Sequence, residues 1–101
     1  MLTKKACAEV AKPEWWSDEG LKVLSARVVR AAPDERGAHR MRASMLSGQN
    51  DAWEVGPRSA AELKEAAAHF DRAAAISRAP AGKAAFAGAA DACRRVAAAA
   101  M

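Results

Sequence analysis

Two histidines, two cysteines and a cluster of arginines are the residues of this chain with most chemistry to offer. His39 and His69 fall on different predicted helices. Neither has a partner at the HExxH spacing that would place two imidazole nitrogens on one metal. Glu65 precedes His69 by four residues, which reads as a solvated pair on a helix surface. Cys7 and Cys93 lie near opposite ends without a CxxC pattern, as reduced thiols would. Cys93 stands on an alanine-rich stripe, the setting of a small core residue, although its neighbours Arg94 and Arg95 are of the kind that lower a thiol pKa. Gly82 and Gly88 are isolated and follow no strand, so they form no phosphate-cradling loop. No catalytic, metal or cofactor site is expected, and the chain reads as non-enzymatic.

The arginines define the other candidate surface. Arg27, Arg30, Arg36, Arg40 and Arg42 cluster along two predicted helices, with Arg36 and Arg40 one turn apart. Such a face is either solvated or meets an acidic protein or a nucleic acid. The net charge is only +4, with 12 acids interspersed, and no nucleic-acid-binding motif is present. A protein or peptide ligand is therefore the first expectation, with a basic helical nucleic-acid binder as the alternative. Trp15 and Trp16 offer a third surface: adjacent residues of a helix point about 100° apart, so one of the two is free to anchor a partner.

These residues must be positioned by a chain of 101 residues, 51% of them hydrophobic. Alanine supplies 29 of those; the large apolar side chains are six Val, five Leu, four Met, three Trp, two Phe and one Ile. This is a thin core for one domain, since each larger side chain contributes only about 1.5–3 kcal/mol when fully buried. The alanine content and the scarcity of β-branched residues favour helix over strand. No secretory or transit segment is read at the start, where Lys4, Lys5, Glu9 and Glu14 intervene, and no run approaches a membrane span of roughly 20 apolar residues. The expected location is cytoplasmic, with the nucleus as the alternative.

Proline and glycine divide the chain. Residues 1–16 read as an N-terminal helix and linker, with Leu2, Ala6 and Val10 in one stripe. Residues 17–101 read as the main helical domain. Its first helix is capped by Ser17 and carries Leu21, Leu24, Val28 and Ala31 on one face. The next, capped by Asp34, presents Ala38, Met41, Met45 and Leu46 and stops at Gly48. A loop at 48–58 places Trp53 and Val55 at its tip. Ser59 and Glu62 form a capping box that opens a helix bearing Leu63, Ala66, Phe70, Ala73 and Ile76. Phe86, Ala89 or Ala90, Cys93 and Val96 mark the last one, after Pro80. The fold class is all-α: four to five helices in antiparallel pairs, forming a short solenoid or a bundle.

Ala66, Phe70 and Ala73 stand at the 4-then-3 spacing of the second helix of a tetratricopeptide repeat, and the chain from Leu21 onward resembles a degenerate member of that family. Its repeat of about 34 residues, projected from Phe70, places Gly88 at the small position of the next first helix. Projected from Pro33, it places Ala43 there. The two registers differ by the eleven residues of the 48–58 loop, so one insertion reconciles them. His39 and Ala84 depart from the large aromatic usual at their positions, and Arg78 stands where the closing proline is expected. The resemblance implies a protein–protein interaction module, an adaptor or scaffold, whose groove is lined here by Arg40 and Ser44, with Trp53 nearby. The lysine and asparagine clamp of chaperone-tail binders is absent, with Ala85 and Ala89 at the matching positions of the last helix. Fewer than three repeats are rarely stable alone, which favours self-association or membership of a larger repeat protein.

Overall fold

The computed structural model describes residues 15–48 and 55–99, and within them the chain is all-α. Four helices follow one another: α1 (Asp18–Ala31), α2 (Arg36–Ser47), α3 (Ala60–Ile76) and α4 (Pro80–Ala99). Each packs on its neighbour in sequence, and α3 lies against both α2 and α4. The expected N-terminal helix at 2–12 and the loop tip with Trp53 lie outside the described residues.

Local chemistry explains most of the helix ends. Ser17 Oγ accepts the Gly20 N–H at 3.0 Å, while Asp18 and Glu19 occupy the first turn of α1, where the helix dipole favours negative charge. Gly48 closes α2 with φ of 70°, a left-handed conformation that suits glycine; a Cβ there would also lie 2.9 Å from Val55 Cγ1. Pro80 opens α4, a first-turn position whose amide needs no intrahelical partner. One expectation changes: α2 is preceded by Glu35, not capped by Asp34, and no side chain caps it.

The capping box of α3 is complete, with Ser59 Oγ accepting from Glu62 N–H and Glu62 Oε1 accepting from Ser59 N–H, both at 3.1 Å. The Lys22 ammonium, 2.6 Å from Glu62 Oε2, and then the Ser59 amide hold the Glu62 carboxyl below its usual range. Since the folded value lies below the unfolded one, this contribution is complete above about pH 4.3 and is lost as the pH falls through the folded value. Ser59→Ala should cost about 1 kcal/mol, read as an earlier thermal midpoint with unchanged helicity in the cold.

The core is built from small residues around one aromatic. Ala43 and Leu46 of α2, Ala66, Ala67 and Phe70 of α3, and Ala90 and Cys93 of α4 form its buried cluster, with Phe86 and Ala89 packed against it. Ala43, Ala66, Ala73 and Ala90 are completely inaccessible. Alanine's small volume lets the α3 backbone approach both neighbours, and Phe70 fills the space toward α4, stacked on Phe86 with centroids 6.4 Å apart.

The buried faces are rotated from those read in the sequence. On α2 the interior is Ala38, His39, Ala43, Leu46 and Ser47, with Met41 and Met45 only half-buried. On α1 it is Leu21 and Ser25, with Leu24 and Val28 half-buried and Ala31 exposed. On α4 the stripe ends at Ala97, and Val96 is exposed. On α2 and α4 close packing sets Ala38, Ala43, Ala90 and Ala97 inward and leaves Met41, Met45 and Val96 at or beyond the margins.

Candidate interaction surfaces and the buried polar network

Of the residues expected to bind a partner, Arg40 is exposed and Ser44 is half-buried, both on α2; Trp53 lies outside the described residues. Arg40 forms no ion pair with the described residues, nor do Arg27, Arg30 and Arg36 of the arginine cluster. Arg42 is a correction. It turns inward, donating from Nη1 to the Lys22 carbonyl at 2.6 Å and to Ser25 Oγ at 3.1 Å. Its Nε and Nη2 both reach Glu65 Oε2, at 3.2 and 3.1 Å. Ser25 in turn donates to the Lys22 carbonyl. One guanidinium thus ties α1, α2 and α3 together, and Ser25 is buried because it accepts from that guanidinium.

The histidines are also brought together. His39 on α2 and His69 on α3 stack with centroids 5.2 Å apart, and their Nδ1 atoms are 3.0 Å apart. His39 Nε2 lies 2.6 Å from the Pro33 carbonyl, and His69 Nε2 lies 3.4 Å from Glu65 Oε2. Glu65 and His69 are therefore part of a continuous polar seam, not merely a solvated pair. Burial, the neighbouring His39 and, less strongly, Arg42 lower the His69 pKa, against the opposing pull of Glu65. Nothing in the sequence marks the pairing, because it depends on the register between α2 and α3. Among the described residues no three or more His, Cys, Asp or Glu side chains are grouped to hold a metal ion.

A second polar cluster closes the other end of the α2–α3 connection. Arg58 reaches the two Asp18 oxygens at 2.7 and 2.6 Å and donates to the Met45 carbonyl at 2.8 Å and the Gly56 carbonyl at 3.0 Å. This joins the start of α1, the end of α2 and the loop before α3. Cys93 is core: it is buried, and desolvation pushes its thiol up more than Arg94 draws it down. Arg94 instead pairs with Asp71 across α3 and α4.

The outer side of α1 carries an apolar cleft of about 420 Å³, lined by Trp15, Glu19, Gly20, Val23, Leu24 and Arg27. Trp15 is 49% exposed and Val23 58%, whereas Trp16 is half-buried and meets Trp15 edge-on. Of the two adjacent indoles, Trp15 is thus the more exposed. Gly20 makes this arrangement possible: a Cβ there would lie 2.1 Å from the Trp15 carbonyl oxygen, which accepts the Ser17 N–H at 2.9 Å.

No protein-family model matches the sequence, and comparison with curated proteins and with solved structures finds no match. Gly88, expected at a close-packed small position of a tetratricopeptide-like register, is exposed, and a Cβ there would meet nothing within 4 Å. No helix among the described residues is long and apolar enough to cross a membrane.

Proposed function

We propose that the chain is a non-catalytic protein–protein interaction module, an adaptor or scaffold. The observation that carries this reading is the apolar cleft of α1, with Trp15 and Val23 half exposed between Glu19 and Arg27. Its composition suits a peptide segment that offers apolar side chains to the strip and opposite charges to Glu19 and Arg27. A half-exposed tryptophan is the residue type most often found as an energetic anchor of such contacts. Arg40 and Ser44 form a second contact point on α2. The tetratricopeptide-like arrangement belongs to the same proposal and rests on the Ala66, Phe70 and Ala73 spacing of the sequence alone. Self-association, or membership of a larger repeat protein, would extend that array.

The test is capture of proteins from nuclease-treated lysate, followed by affinity measurement with the retained partner. Val23→Asp should weaken binding roughly tenfold, as loss of a buried valine contact of about 1.5 kcal/mol requires, at unchanged helicity. Arg40→Glu should weaken it less. Equal binding by wild type and Val23→Asp would remove the cleft from the reading.

A nucleic-acid-binding role is the second reading, favoured by Arg27, Arg30, Arg36, Arg40, Arg78 and Arg95, all exposed. It requires retention that disappears with nuclease and affinity that falls steeply with salt, because each phosphate contact releases counterions.

A further inference from the structure

The His39–His69 pair has four ring nitrogens, and three of its contacts restrict where protons can sit. The Pro33 carbonyl, 2.6 Å from His39 Nε2, only accepts, so that nitrogen carries a hydrogen. The two Nδ1 atoms, 3.0 Å apart, have room for one hydrogen between them. The Glu65 carboxylate faces His69 Nε2 at 3.4 Å and also only accepts. With two ring protons the pair is neutral: His39 donates to Pro33, His69 Nδ1–H donates to His39 Nδ1, and His69 Nε2 opposes Glu65 without a hydrogen. A third proton enters at His69 Nε2, donates to Glu65 and leaves every other bond intact. A fourth has only His39 Nδ1 to occupy, where it sets N–H against N–H.

From this count we propose that the His39–His69 pair is a proton-operated latch between α2 and α3: it stays closed with one added proton and opens with two. The pair sits near the start of α2, so opening releases the first turns of α2 from α3. The charged groups around it set its range. Glu65 on α3 favours the first proton, and Arg42 on α2, held on the same Glu65 oxygen, opposes both. Arg72, three residues after His69 on α3, and Asp34, next to Pro33 in the α1–α2 turn, pair with each other at 3.3 Å. Burial first, then the neighbouring His39 and least of all Arg42, hold the His69 pKa below that of a free imidazole against the pull of Glu65. The sign follows: the closed state is at full strength above about pH 6.5, weakens as the pH falls below it, and opens at the second step.

The experiment is an NMR titration of the imidazole nitrogens in the full chain from pH 8 to 4, with amide hydrogen exchange measured in parallel. Two separated steps are expected, the first with the Nδ1–Nδ1 hydrogen bond retained. At the second, exchange in the first turns of α2 should accelerate at least tenfold while the centre of α4 stays protected. His69→Asn supplies the second arm. Its amide donates to neutral His39 Nδ1 and can turn its oxygen to the charged ring, so acid opening should vanish while the fold persists. Two independent titrations near pH 6.5 with unchanged protection would overturn the latch. So would acid opening that survives in His69→Asn, or loss of α4 protection together with α2, which would show global unfolding instead.

Discussion

Phe70→Ala is expected to lose about 3–5 kcal/mol of stability, the usual cost of emptying a buried aromatic site. Phe70 is the one large aromatic in a buried cluster otherwise made of alanine, Leu46 and Cys93. The surrounding alanines have no longer side chains with which to fill the space, so the site collapses poorly and the upper part of the range applies. Single domains of this size have about 5–15 kcal/mol in all. The variant should therefore melt roughly 15 °C or more below wild type. Phe70→Leu, which retains most of the volume, should recover most of the loss. Equal melting of wild type and Phe70→Ala in circular dichroism would mean that α3 and α4 do not depend on this contact.

Arg58→Ala is the second large effect. The Arg58 side chain is 7% exposed and that of its partner Asp18 16%, so the substitution takes two guanidinium bonds from a carboxylate that keeps the Gly56 N–H and the Lys22 ammonium at 3.8 Å, and strips a donor from the Met45 carbonyl. Breaking a buried pair from one side costs about 3–5 kcal/mol. Arg58 Nε is itself buried without a partner among the described residues; removing that unsatisfied group returns part of the loss and places the expectation near 3 kcal/mol. Arg58→Lys should not restore it, because one ammonium cannot span both Asp18 oxygens and the Met45 carbonyl as a guanidinium does. Denaturant midpoints of the three proteins, taken with equal slopes, check the order wild type, Lys, Ala. The defect should appear first as lost protection at the end of α2.

The helices were legible because their causes are local. Ser17 before Asp18 and Glu19, the Ser59–Glu62 box, Gly48 and Pro80 each act within one turn of the backbone, and the structure starts or stops helices at all four. Asp34 was misplaced because Glu35, one residue later, provides the extended backbone from which α2 begins. The stripe of α3 was also readable, since Leu63, Ala66, Phe70 and Ala73 repeat at helical spacing and all are buried.

The interior of α1 and α2 was less legible for a physical reason. With 29 alanines in the chain, small residues occupy every face of a helix, and hydrophobicity alone does not choose among them. The choice falls to close packing against α3. It turns Ala43 and His39 inward, leaves Met41 and Met45 at the edge, and draws Arg42 out of the arginine cluster into a bond with the Lys22 carbonyl. The sequence by itself determined an all-α chain, its four described helices and most of their ends, because propensity and capping operate between residues a few positions apart. Only the tertiary structure decided that His39 meets His69, that Arg58 meets Asp18 and that Trp15 is the more exposed indole, at the edge of an apolar cleft. Those pairings join residues 30 to 40 positions apart: helix rotation, set by side-chain volume, brings the histidines together, and the path of the loop before α3 brings Arg58 to Asp18.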